Sequence, residues 1–149
     1  MTPAVPDEAK LDELVGTEFP GGEFTFERWW VRLVNECALA DPADEAGSPV
    51  FVFLAATSAM GVSWERLWSW FGARESDGPM AGEIHTVLHR PLRVGGTYAV
   101  RGRIESARRK RGARTGVFDL VGYRLDLHET SGELAASCTS SILFPRERR

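Results

Sequence analysis

Few side chains in this sequence could do acid–base or nucleophilic chemistry. There are three histidines, His85, His89 and His128, and two cysteines, Cys37 and Cys138. All three imidazoles fall in or at the ends of stretches that alternate as strands do, so each reads first as a packed or hydrogen-bonded strand residue. The cysteines lack the spacing of metal ligands. Each sits among apolar or small residues and reads as a buried free thiol. Acids gather in residues 41–47, DPADEAG, where Asp41, Asp44 and Glu45 precede a strongly apolar segment. The densest positive run, Arg108-Arg109-Lys110-Arg111 with Arg114, could contact phosphates. It also reads as a solvated hairpin tip, because charges at turns blunt sheet edges. A nucleic-acid role is disfavoured: the chain carries a formal charge of −3 and no aromatic residue interrupts those arginines.

Any such groups must be positioned by a core, and the most apolar stretch supplies its centre. Residues 48–60, SPVFVFLAATSAM, open on Ser48 and Pro49, a helix start with Pro where its missing N–H costs nothing. The segment is apolar all round, which predicts a helix covered all round. At roughly 20 Å it is too short to cross a bilayer. Thr57 and Ser58 can return their hydroxyls to carbonyls one turn earlier. Before it, residues 26–40 repeat Phe26, Trp29, Trp30, Leu33, Val34 and Cys37 as one buried stripe, with Thr25 as a plausible N-cap. After it, Ser63 can cap a helix carrying Trp64, Leu67, Trp68 and Phe71 on one side.

From residue 83 the period changes from 3.6 to 2. Strands are predicted over 83–90, 97–107, 117–128 and 133–144, with a further strand within 17–24 and a basic hairpin loop over 108–114. Turns between them are of hairpin length, so the sheet is antiparallel, and one of its faces needs cover. The simplest packing lays the apolar helix in that face. The expected fold class is α+β: one domain over 16–145, a curved antiparallel sheet wrapped around a buried central helix. Residues 1–15 are expected as a flexible tail or short helix and 146–149 as a tail. The 149-residue length suits one domain with a real core. MTPAVPDEAK has neither the apolar nor the basic region of a signal peptide, so a soluble, cytoplasmic protein is expected.

At this level of detail the residues resemble a family. His89-Arg90-Pro91-Leu92-Arg93-Val94-Gly95-Gly96, followed by Tyr98-Ala99-Val100-Arg101-Gly102-Arg103-Ile104, is similar to the "HRPLRVGD…V.GRI" segment of the MaoC-like acyl dehydratases and (R)-specific enoyl-CoA hydratases. The likeness is to their N-terminal, FAS1-like dehydratase type of hot-dog domain. Gly132-Glu133-Leu134 and the Ser-rich final strand fit as well. Ala38-Leu39-Ala40-Asp41-Pro42 sits where that family has "A.GDPNP", and residues 48–53 where it has "APPTF".

The resemblance implies water addition to, or removal from, an enoyl thioester. A carboxylate and an imidazole share one water, and backbone N–H groups at the buried helix's N-terminus hold the thioester oxygen. In the family both groups come from an Asp-x-Asn-Pro-x-His motif. Here Asp41 is followed by Pro42, Ala43, Asp44, Glu45 and Ala46, so the histidine position holds alanine. Asp41 alone matches the dyad, and no catalytic residue is assigned. The resemblance then implies a non-catalytic hot-dog subunit, partnered by a MaoC-like chain that carries Asp and His. Gly47, Ser48, Val50, Trp64 and Trp68 would shape the pocket for an acyl-CoA or acyl-carrier thioester, with the aromatic residues suiting a bulky lipid or steroid-type acyl group. Arg108, Arg109 and Arg111 are the candidates for coenzyme A phosphates. No metal or other cofactor is implied, and no membrane or nucleic-acid partner. Two alternatives stand beside this reading: a self-sufficient homodimeric hydratase or thioesterase, and a non-enzymatic acyl-binding protein.

Overall fold

The computed structural model describes residues 4–41 and 49–146. In chain order the elements are α1 (Glu8–Leu14), β1 (Gly22–Thr25), α2 (Arg28–Cys37), α3 (Val50–Ser58), α4 (Trp64–Trp70), β2 (Met80–Leu88), β3 (Thr97–Gly112), β4 (Gly116–His128) and β5 (Leu134–Pro145). The strands form one antiparallel sheet in the order β1-β3-β4-β5-β2. Helix α3 touches β1, β2, β4 and β5, so the sheet wraps it. This is the expected architecture, and its cause is visible in the alternation. Val121, Tyr123, Leu125 and Leu127 of β4 and Ala136, Cys138, Ile142 and Phe144 of β5 are buried in phase. That inner face meets Phe51, Val52, Ala55 and Ala56 of α3, all at most 1% exposed. Each large side chain buried in this way contributes about 1.5–3 kcal/mol.

Local signals placed the ends of several elements. Ser63 caps α4 by accepting from the Arg66 N–H at 3.2 Å. Thr57 donates back to the Phe53 carbonyl at 2.8 Å. Past the end of α3, Gly61 adopts φ 82° while the chain crosses Gly21, whose N–H donates to the Met60 carbonyl at 3.0 Å. A Cβ on Gly61 would collide with the Gly21 backbone, so only glycine lets α3 close on the residues leading into β1.

Several expectations are corrected. Helix α2 does not bury the predicted stripe. Phe26 lies ahead of the helix, tied by Phe26 N–H to Gly96 O and Gly95 N–H to Phe26 O, and its ring packs on Tyr98 and Phe51. That anchor sets the helix phase. Val31 and Asn35 go inward with part of Trp30 and Val34, while Trp29 (65% exposed), Leu33 and Cys37 face outward. Cys37 is therefore an exposed thiol, and Cys138 alone is buried. Thr25 is not a cap: it belongs to β1, and its hydroxyl pairs with that of Thr97 at 2.7 Å. The α3 helix is also not covered all round, because Val50 is 39% exposed and Phe53 and Leu54 are half-buried.

A further correction concerns the basic run. Strand β3 continues through it to Gly112, and the turn is Ala113-Arg114-Thr115. A bulge between Ile104 and Ser106 shifts the phase by one residue, so Ala107 and Arg109 join the inner row while Arg108 and Lys110 face out.

Candidate functional site

Helix α4 stands off the β5–β2 side of the sheet beside α3 and leaves a slot of about 230 Å³. Phe53, Trp64 and Trp68 form its roof. Its floor is a row across three strands: Tyr123 on β4 pairs with Ser140 on β5, and Ser140 pairs with Ile84 on β2. Ile142 completes the floor, and Pro79, Met80 and Ala81 frame the mouth. The mouth is at the sheet's edge, where Met80 is 46% and Ile84 50% exposed. Val87 and Leu88 extend the exposed apolar surface along the same edge strand. Complete cavities for drug-sized ligands run to about 300–1,000 Å³. This slot is smaller and opens where β2 has no neighbour on its outer side.

Among the described residues no carboxylate, imidazole or cationic side chain lines the slot. Its inner end carries hydroxyls. Tyr123 (2% exposed) bonds Ser140 (4% exposed), and the Cys138 sulfur lies 3.8 Å from the Ser140 hydroxyl. Burial pushes the Tyr123 phenol up to about 12, with the Ser140 hydrogen bond acting the other way. Burial also pushes the Cys138 thiol up, which makes it a poor nucleophile.

The structure brings together only some of the residues singled out from sequence. Trp64 and Trp68 share the roof, one turn apart on α4. Val50 opens α3 and does not line the slot. Gly47 and Ser48 lie outside the described residues. Asp41 is exposed beyond the end of α2. The histidines are elsewhere. His85 pairs with Thr139 on the face opposite Ile84. His89 follows β2, with its Nε2 3.5 Å from the Ser137 hydroxyl. His128 ends β4 beside a surface recess containing Glu23 and Glu129.

Arg109 is held within the fold. It donates to Asp119 at 2.8 and 3.0 Å and to the Pro6 carbonyl at 2.7 Å. Asp119 is fully buried and also accepts from Arg146 at 2.7 Å, while Arg146 donates to the Phe71 carbonyl at 2.6 Å. One carboxylate thus joins the segment before α1, the end of α4 and the end of β5. Arg108 and Arg111 are exposed on the extended β3–β4 hairpin. Among the described residues no group of histidine, cysteine and acidic side chains could hold a metal ion.

No family model matches the sequence, and no curated protein matches it either. Solved structures do. A chain of the HadBC (3R)-hydroxyacyl-ACP dehydratase complex of Mycobacterium tuberculosis is 18% identical, with 94% of this chain and 99% of that chain covered and a TM-score of 0.67. A chain of the ChsH1–ChsH2 complex of the same organism superposes with a TM-score of 0.68 at 10% identity, over 91% and 94% of the two chains. The MaoC-like dehydratase of Rhodospirillum rubrum gives 0.61 at 15% identity, over 93% and 98%. At such identities the likeness is one of fold.

The chain has the hot-dog fold of the MaoC-like dehydratases. Its central α3 and curved sheet are the hot-dog helix and its wrapping, as the resemblance implied. Two of these hot-dog relatives come from complexes whose names join two components, HadBC and ChsH1–ChsH2. No helix among the described residues is long and apolar enough to cross a membrane.

Tyr123, Ser140 and Asp119 were not singled out from sequence, and Arg109 was singled out for phosphate contact rather than for the Asp119 ion pair it makes. The signal for Asp119 was present: it falls in phase with Val121, Tyr123 and Leu125, where a lone acid must find a buried partner. Its partner Arg109 was obscured, because a bulge that no propensity marks changes the phase of β3.

Proposed function

We propose that this chain is a non-catalytic hot-dog subunit of a two-chain acyl-thioester hydratase or dehydratase, and that its partner is a MaoC-like chain carrying the Asp–His pair. One observation carries the reading: the slot is apolar, and among the described residues no side chain able to exchange a proton near neutral pH lines it. Hydration of an enoyl thioester needs a base to activate water and an acid to protonate Cα. Ala46 stands where the family histidine would stand. His85 and His128 lie on β2 and β4, and His89 directly follows β2.

The open side of the slot supports a partner at β2. An edge strand with exposed Met80, Ile84, Val87 and Leu88 offers both unpaired backbone groups and apolar contact area. Pairing along it would extend the sheet across two subunits and close the slot's mouth. Trp64 and Trp68 would then form one wall of a pocket for a lipid or steroid-type acyl group, with the thioester of coenzyme A or of a carrier protein reaching the partner's catalytic groups. The proposed setting is the cytoplasm. Arg108 and Arg111 remain candidates for phosphate contact; Arg109 is not carried forward, because its Nε and Nη2 hold it on Asp119 and Pro6 within the fold.

The test is co-expression with a MaoC-like chain that holds an intact Asp-x-Asn-Pro-x-His, preferably one encoded beside this one. The two chains are expected to co-purify. Hydration of enoyl-CoA esters is expected from the pair and not from this chain by itself. Turnover by this chain alone would instead favour a self-sufficient homodimer. Stoichiometric acyl binding with no turnover and no partner would favour an acyl-binding protein.

A further inference from the structure

We infer that the slot selects an apolar chain that carries a neutral oxygen, a ketone or a hydroxyl, at its inner end, and that Tyr123 and Ser140 bind that oxygen. The inference deepens the proposed function, on which it rests for the slot's role as an acyl site.

The inner face of the sheet is otherwise apolar around this point: Val121, Leu125, Ile142 and Phe144 are all at most 6% exposed. Two hydroxyls set among them are costly unless paired. Tyr123 and Ser140 pair with each other, but that single bond uses one donor and one acceptor. Each hydroxyl has one donor and two lone pairs, so the pair keeps a donor and several acceptor sites. The Cys138 thiol, 3.8 Å from Ser140, is a weak partner, and the Ser141 hydroxyl, also on the slot's lining, accepts from the Glu83 N–H at 3.0 Å. Tyr123 and Ser140 both line the slot, so the unused capacity is presented where a ligand would sit.

Position gives the orientation. The floor row runs from exposed Ile84 at the edge strand, through Ser140, to Tyr123 on the central strand. A chain entering at Met80 and Ile84 therefore reaches the hydroxyls last, beneath the Phe53, Trp64 and Trp68 roof. Lining chemistry gives the class of oxygen. Among the described residues no cation lines the slot, so a carboxylate or phosphate end would be buried without a counter-charge. A neutral carbonyl can accept from the hydroxyl pair, and an alcohol can both donate and accept. The Tyr123 phenol stays protonated throughout the physiological range, because burial holds its titration near 12. A site built to hydrogen-bond an oxygen discriminates against the analogue lacking it, since its own buried groups are then left unpaired.

The experiment compares methyl octanoate with methyl 7-oxo-octanoate by isothermal titration, on the full chain and on the co-purified pair. Wild-type protein is expected to bind the oxo ester about tenfold more tightly. Tyr123→Phe and Ser140→Ala are each expected to bring the ratio near one by weakening the oxo ester, with the plain ester little changed. Tyr123→Phe keeps the ring and its packing, and Ser140→Ala is an independent second variant. Equal or weaker binding of the oxo ester by wild type overturns the inference, as does a preference that survives both substitutions. Equal binding of the two esters leaves the acyl-slot reading standing. Binding of neither, by the chain or the pair, removes the slot as an acyl site and the inference with it.

Discussion

Two places on the inner face of β4, four residues apart, show opposite designs. At Asp119 a fully buried carboxylate is met by two arginines, each of which also donates from Nη2 to a backbone carbonyl, that of Pro6 or Phe71. That region is complete within one chain. At Tyr123 the polar groups are neutral, keep unused hydrogen-bonding capacity and face a slot whose mouth is exposed apolar surface. That region is left open in the single chain, which is where the proposed partner and ligand would sit. The difference separates groups that hold the fold from groups available for binding, although both are buried polar insertions in an apolar row.

The largest effect should come from breaking the closed region. Asp119→Ala leaves Arg146, whose side chain is 5% exposed, as a buried charge without its counter-ion. Breaking a buried pair in this way costs about 3–5 kcal/mol. Denaturant unfolding should show that loss, and a change below about 1 kcal/mol would mean that the cluster does not hold the fold. Arg109→Ala should cost less, about 1–3 kcal/mol, because Arg109 is partly exposed and Arg146 remains to pair the acid. Arg108→Ala, one residue away but on the outer face, should stay within about 0.5 kcal/mol. A similar loss for both would contradict the placement of the bulge in β3.

At the open region the expected ordering reverses, with small effects on folding and large ones on assembly. Val87 is 37% exposed on the edge strand, so Val87→Lys should leave stability within about 0.5 kcal/mol while abolishing co-purification with the proposed partner. Gel filtration of the pair reads both outcomes. Retention of the complex would move the interface away from β2.

Alkaline pH offers a milder comparison. The folded Tyr123 phenol titrates near 12 against an ordinary value of 10. Above pH 10 the unfolded chain loses this proton while the folded chain keeps it. Stability from this group is therefore intact below pH 10 and falls as pH rises from 10 toward 12. Tyr123→Phe should flatten that part of the stability curve. The smallest test is chemical: a maleimide should label Cys37 in the native protein and Cys138 only after unfolding, giving one adduct and then two by mass.

Much of the fold was legible because its periodicity is local. Three long strands at period 2 and one stretch too apolar to be anything but core specify a sheet around a helix. Less was legible where phase depends on distant contacts. The burial of α2 is set by the Phe26 anchor to Gly95 and Gly96, some seventy residues later, so the helical stripe alone assigned Trp29, Leu33 and Cys37 to the wrong side. Of the candidate site, Trp64 and Trp68 were accessible from helical spacing. Tyr123 and Ser140 were not, because alternation marks them as inward-facing without revealing that α4 stands off the sheet above them.

The central claim is that this chain shapes a pocket whose chemistry comes from its partner. Asp41 is the one residue here that matches the family dyad, so Asp41→Ala within the assembled pair addresses that claim directly, assayed as steady-state hydration of an enoyl-CoA ester. Turnover unchanged within about twofold is expected, while loss of the partner's own Asp or His should abolish it. A fall of about a hundredfold or more on Asp41→Ala, the scale of a lost general acid or base, would contradict the claim and make this chain catalytic.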